Sequence, residues 1–346
     1  MAVVERYNKF SIMKGLAIVG VVIGHLGIET LEIFVNYWHL PVFFFVSGYF
    51  LKKKHLENPK KYIMGRFRRL VVPFLIFAII ALFLHNALSD IGVISAQRYS
   101  DSDFIDEFKR ILLLSSNEEL IGAMWFLPAL FIVSIIGYLL IKLSNITKSM
   151  IYIFGGVMGL FTLLVCIGVP SPYCVWHYAS ISWIFILGYI CACKCLDAKL
   201  NKVPIFILCI GIILLALLMK IRFGCQADMI SSQSLVYPVI FVAGIAMVNY
   251  ISHLLVGKSF GKMLAIIGNF SFSIMAFHFA AFKFVTWIRT LFDQDVLLTS
   301  FPVSSKDIFI WGPVYVIAGV FIPIMISSSY DRIQNAWRCN CSLQKS

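Results

Sequence analysis

Residues 11–51 read SIMKGLAIVGVVIGHLGIETLEIFVNYWHLPVFFFVSGYFL, and the fold turns on how they are read. They predict two membrane helices, near 11–29 and 34–51, joined by a tight outer turn. Lys14 and His25 fall on the first of them. At about 100° and 1.5 Å per residue, the pair is only about 20° out of phase and about 16 Å apart along the axis. Both share one face. A charge or an imidazole at such depth is costly unless it faces a protein interior or a watery cavity. Lys14 can snorkel to the headgroups, and His25 can be a satisfied packing residue. A carboxylate one turn further on, Glu29, favours a site at His25.

The rest of the chain continues this pattern. Of its 346 residues 60% are hydrophobic and only 13% charged, against about 25% charged in a soluble domain. Further apolar runs near 70–88, 124–142, 149–168, 177–194, 203–221, 234–254, 263–284 and 306–328 bring the expected number of spans to ten. The fold class is therefore all-α, a polytopic membrane helical bundle, with residues 1–346 forming one domain. Arg6 and Lys9 precede the first helix, and no small-residue cleavage site follows, so that helix is expected to stay as an anchor.

The net charge of +12 does not call for nucleic acid, because its distribution follows the membrane. Most Lys and Arg fall in alternate connections: the N-terminus, 52–69, 142–148, 194–202, 258–262 and the C-terminus. By the positive-inside rule both termini are cytoplasmic, and membrane lipid is the surrounding partner. The longest outer connection, 89–123, is acidic. Within it, Phe104, Ile105, Phe108, Ile111 and Leu112 recur at helical spacing, which predicts an amphipathic surface helix, either a solvated connector or a lid.

Three further stretches carry chemistry. Residues 52–69, KKKHLENPKKYIMGRFRR, are the most basic; topology alone explains them, or they hold an anionic ligand on Arg forks. Residues 124–131, MWFLPALF, place Trp125 at an outer interface ahead of a Pro-bearing helix start, as a structural anchor or as a flat face for a ligand. Residues 268–278, GNFSFSIMAFH, put His278 at a depth like that of His25. Gly20-x3-Gly24 and Ser47-Gly48 permit close helix packing, and Ser47 has no elbow-spaced partner that would make it a nucleophile. The nine cysteines form no metal pattern, so no metal is expected. Cys174 and Cys225 fall in outer turns where a disulfide is permitted.

Lys14-x10-His25 followed by Trp38-His39-Leu40-Pro41-Val42-Phe43-Phe44-Phe45-Val46-Ser47-Gly48-Tyr49 resembles the opening of the acyltransferase-3 family, integral membrane proteins that O-acylate sugars of the bacterial envelope. The Lys variant and the H-x-P-x-FFF run look most like its fucose-acetylase-type branch. Arg66-x-Arg68-Arg69-Leu70-x-x-Pro73, the WFL-x-x-LF segment and the late G-x-x-S-x-x-I-x-x-x-H signature match in order. The chain departs from the family in having Asn-Phe, where Lys-Asn is common, after Gly268.

The resemblance implies an O-acetyltransferase of the bacterial inner membrane. Its donor would be acetyl-CoA or another acyl-CoA, and its acceptor a hydroxyl of an envelope glycan or a lipid-linked sugar. His25 is the expected general base, or the carrier of a transient acyl group, with Glu29 orienting it. His278 is a secondary polar group near the acceptor. Lys14, Arg66 and Arg69 are expected to attract the donor. Trp38, His39, Trp125 and Ser271 are the candidate substrate-binding residues. The rival reading is a flippase, polymerase or transporter of envelope polymers, which would favour broken mid-membrane helices in related halves.

Overall fold

A computed structural model describes residues 2–147, 175–221, 236–299 and 308–343. Among these residues every regular element is helical. The expected span at 149–168, and both Cys174 and Cys225, lie outside the described residues. Five helical stretches are long and apolar enough to cross a membrane: Pro59–Asp90, Glu119–Ser144, Tyr237–Leu255, Ser271–Thr290 and Phe309–Ser329. Two shorter apolar helices, Tyr178–Lys194 and Val203–Leu218, add to them. Some of the ten expected spans are therefore short or broken, and the breaks have chemical causes.

The organising stretch shows this first. Helix α1 (Ala2–Gly24) ends before the expected position 29. Gly27 has φ 87°, a left-handed conformation that a side chain would oppose and that closes the helix. Helices α2 (Glu29–Asn36) and α3 (His39–Tyr49) replace the single expected span at 34–51. Pro41 lies in the first turn of α3, where its missing N–H costs nothing; inside a continuous helix its ring would meet the Tyr37 carbonyl. Trp38 takes the non-helical backbone between them, and its indole fills the space left by Gly20 of α1.

Next come α4 (Lys53–Glu57) and α5 (Pro59–Arg66), which runs on through a π turn (Phe67–Val71) into α6 (Val72–Asp90). The π turn has a local cause. Val72 N–H bonds the Phe67 carbonyl, one residue further back than in an α-helix, and the widened turn admits the Pro73 ring. The amphipathic surface helix forms as α7 (Asp101–Leu112). Ser100 and Asp103 cap it reciprocally, and Glu107 and Ile111 face inward. A 3-10 segment (Glu119–Trp125) leads into α8 (Phe126–Thr147).

After α9 (Val175–Ser180), α10 (Trp183–Lys194) packs on α3 through reciprocal glycines. A side chain at Gly48 would meet the Phe185 carbonyl, and one at Gly188 the Phe45 carbonyl. Gly48→Leu is expected to destabilise the protein by about 1–3 kcal/mol or more, read as a lower melting temperature in detergent. An unchanged melting temperature would mean that the two backbones can part at no cost.

The chain closes with α11 (Leu196–Lys199), α12 (Val203–Leu218), α13 (Tyr237–Leu255), α14 (Ser259–Asn269), α15 (Ser271–Thr290) and α16 (Ile308–Leu343). The expected span at 263–284 is split at Phe270. Gly268 lies against the Ser11 backbone and Ser11 Oγ donates to Asn269 at 3.2 Å, so α14 stays on α1 while α15 departs.

Segments assigned to one side by their charge meet at one end of the bundle. There Lys9 Nζ bonds Asp197 at 2.9 Å and Tyr49 OH donates to the same carboxylate at 3.1 Å. Asn249 reaches the Asp197 carbonyl at 3.2 Å and Asn201 at 2.9 Å. At the opposite end, Lys283 of α15 pairs with Glu119 at 2.7 Å.

Candidate active site

Because α1 stops at Gly24, His25 stands at its carboxyl end rather than along its flank. Its Nδ1 lies 2.8 Å from the Val21 carbonyl. His39 opens α3 with Nδ1 2.7 Å from the Val35 carbonyl. His278, fully buried in α15, has Nδ1 2.9 Å from the Ile274 carbonyl and 3.1 Å from that of Met275. A carbonyl oxygen only accepts, so each Nδ1 carries the proton and each Nε2 keeps its lone pair as a base. The rings of His25 and His278 are 5.1 Å apart, and Phe279 stands edge-on to His25 at 4.8 Å. His278 Nε2 is buried with no hydrogen-bond partner among the described residues.

His25 and His39 face a cavity of about 200 Å³. Glu32, Asn36 and Trp125 also line it, above apolar walls that include Ile18, Phe43, Phe126 and Met275. Trp125 is backed by Tyr178, whose ring stacks at 6.4 Å. The chamber thus joins basic nitrogens, a carboxylate, an amide and an aromatic wall.

A second cavity, about 850 Å³, opens where α3 ends and the basic loop begins. Lys54, Lys61, Arg66, Arg68 and Arg69 line it, against one carboxylate, Glu57. Arg66 Nη2 donates to Ser47 Oγ of α3 at 2.7 Å and to Ser134 Oγ of α8. Burial, with the Lys54 and Lys52 ammonium groups acting in the same direction, holds His55, also in the lining, below its usual range. Helix α3 connects the two cavities. His39 lines one and Ser47 the other, about 12 Å apart at helical rise.

The structure therefore brings together His25, His39, Trp125 and, through ring contact, His278. It also brings Arg66 and Arg69 into one basic cavity. The other expected residues are placed elsewhere. Glu29 is exposed at the start of α2 and lies outside both linings; the helix that would have set it one turn beyond His25 has already ended. Trp38 is a packed residue between Gly20 and Gly244, its Nε1 buried with no partner among the described residues. Ser271 opens α15 about two turns before His278 and lines neither cavity. Lys14 is half-buried on α1 and also lines neither.

Sequence reasoning passed over Glu32, Asn36 and Ser134. It also passed over a buried cluster under the 89–123 connection. His85 bonds Glu118 through Nδ1 and the Gln97 carbonyl through Nε2, each at 3.0 Å, while stacking on Tyr99 at 3.5 Å. Burial holds the Glu118 carboxyl above its usual range, against the His85 contact that lowers it. Nearby, Glu107 accepts from Ser116 at 2.8 Å and from the Asn117 amide at 2.7 Å. The 89–123 connection is thus a folded cover, pinned by polar side chains. Among the described residues no group of three or more His, Cys, Asp or Glu side chains is placed to hold a metal ion.

Comparison with curated proteins and with solved structures gave no significant match. A family model described as an acyltransferase domain matches residues 7–328, a stretch that holds every residue of both cavities. With nearly its whole length matched, the chain belongs to the acyltransferase-3 family.

Proposed function

We propose that this membrane acyltransferase transfers an acyl group, most simply acetyl, from acyl-CoA to a hydroxyl of an envelope glycan or lipid-linked sugar at the bacterial inner membrane. The observation that carries this reading is the pair of chemically distinct cavities at opposite ends of α3. The basic cavity suits the phosphates of a nucleotide-bearing donor, since clustered Arg and Lys favour phosphate oxygens. The histidine cavity suits a neutral polyhydroxyl acceptor, with Glu32 and Asn36 for its hydroxyls and Trp125 for a ring face. The distance between them along α3 is within reach of an extended pantetheine arm.

In this reading His25 Nε2 takes the proton from the acceptor hydroxyl as its oxygen attacks the thioester carbonyl. The C–S bond then breaks, and the thiolate leaves and is protonated. An acyl group carried briefly on His25 Nε2 is compatible with the same tautomer. The three histidines do not require Glu29 for orientation, because backbone carbonyls already hold their Nδ1 atoms.

The test is a mass comparison of envelope glycans from cells with and without the gene. Loss of an acetyl increment on one glycan is expected, and identical glycan masses would refute the proposal. Orientation is tested separately in a chain freed of its own cysteines. Asn58→Cys, beside the basic cavity, is expected to react with an impermeant thiol reagent only after cells are opened. Ser100→Cys, at the start of α7, is expected to react in intact cells. The reverse pattern would place the basic cavity outside and remove acyl-CoA as its ligand.

A further inference from the structure

Arg66 lies at the inner end of the basic cavity, and its contacts differ from those of the other cations there. Its Nη2 donates to two hydroxyls, Ser47 Oγ at 2.7 Å and Ser134 Oγ. Ser134 is fully buried, and its own hydroxyl donates to the Leu130 carbonyl one turn back. That donation commits the Ser134 proton, so its lone pairs are left for the arginine. Arg66 Nε–H is buried and has no partner among the described residues.

A guanidinium offers five N–H donors in a rigid fork. Withdrawing that fork from water is costly unless acceptors fill it, and among the described residues it bonds two hydroxyls and no carboxylate, Glu57 in the same lining making no ion pair with it. Lys54, Lys61, Arg68 and Arg69 line the same cavity and repel the guanidinium rather than satisfy it. The missing partner is therefore an anion that enters from the cavity. The two serines hold one nitrogen of the fork and leave the remainder to meet that anion.

We propose that Ser47 and Ser134 are positioning residues that lock Arg66 as an inner subsite for a phosphate-type anion of the donor. This rests on the acyl-CoA reading above. Ser134 sets the geometry, because its hydroxyl has a single available orientation, whereas Ser47 serves as a second acceptor. The surface lysines attract the donor; Arg66 fixes how far its phosphates enter, and so where the thioester comes to rest.

The test uses the full chain in lipid nanodiscs, with free CoA and pantetheine as probes. Ser134→Ala is expected to weaken CoA binding about tenfold and to raise the donor KM without changing the acceptor KM. Ser134→Thr, which restores the hydroxyl, is expected to recover most of that loss. Arg66→Lys is expected to bind CoA as weakly as Arg66→Ala, because a point charge cannot serve two serines and a phosphate together. Pantetheine, which has no phosphate, should bind wild type and Ser134→Ala alike. Equal CoA affinity in Ser134→Ala and wild type would overturn the proposal, as would an equal loss for both probes. Should Ser134→Ala fail to fold, Ser47→Ala decides by the same criteria. Failure of the folded wild-type protein to bind CoA at all is a different result, and it would refute the donor reading itself.

Discussion

His25→Ala is expected to lower acyl transfer by about 10²–10⁴-fold, the range removed with a general base, while protein level and membrane insertion stay near normal. The expectation follows from position and tautomer together. The ring lies in the wall of the polar cavity, half-buried, with Nδ1 fixed by the Val21 carbonyl and Nε2 left basic. Its removal deletes the proton acceptor and takes one donor from the Val21 carbonyl at the open end of α1, a loss confined to the last turn of that helix. His25→Gln is a sharper control, because it keeps a polar group of similar reach but has no titratable lone pair. Both variants should still bind CoA like wild type, because the basic cavity is formed at the other end of α3. Glycan acetylation within a few-fold of wild type in either variant would remove His25 from the chemistry.

Much of this arrangement is legible in the sequence, and the exceptions share a cause. Lipid makes buried charge and imidazole conspicuous, so His25, His39, His278 and the basic run 52–69 stand out without any structure. What the apolar runs hide is where a helix breaks. Hydropathy over 11–51 is compatible with two straight spans, yet Gly27 and Pro41 each interrupt one. Those breaks change which carboxylate matters. On a helix continued to residue 29, Glu29 would follow His25 by one turn. On a helix restarted at Glu29, Glu32 and Asn36 share a face one turn apart, and that face meets the cavity. Gly27, a helix-ending residue type just ahead of Glu29 and Glu32, is the signal the sequence offers. Ser134 had no such signal, because a single hydroxyl in an apolar helix gains meaning only from the Arg66 brought to it from α5. Lys14 shows the converse. Its spacing to His25 matches the family pattern, but in the fold it lines neither cavity. Lys14→Arg and Lys14→Ala therefore separate a role in donor attraction, for which only arginine would function, from simple anchoring, for which both would.

His278→Leu is expected to reduce transfer by about 10²-fold while leaving the bundle intact, because leucine fills a similar volume without the lone pair. His278 is wholly buried, and its Nδ1 is satisfied twice within its own helix. Its Nε2 is not satisfied by any described residue, and an unpaired buried acceptor costs about 1–3 kcal/mol. A histidine used only for packing would be improved by an apolar replacement. His278→Leu should then raise the melting temperature, and that gain measures the cost the native residue carries. The ring lies 5.1 Å from His25, close enough to share a proton or a water with its Nε2 as the acceptor hydroxyl ionises. The two outcomes to compare are therefore stability and rate. A more stable and nearly inactive variant would show that His278 is retained for chemistry. A more stable variant with wild-type turnover would mean that the histidine pair has no joint role and that His25 acts alone.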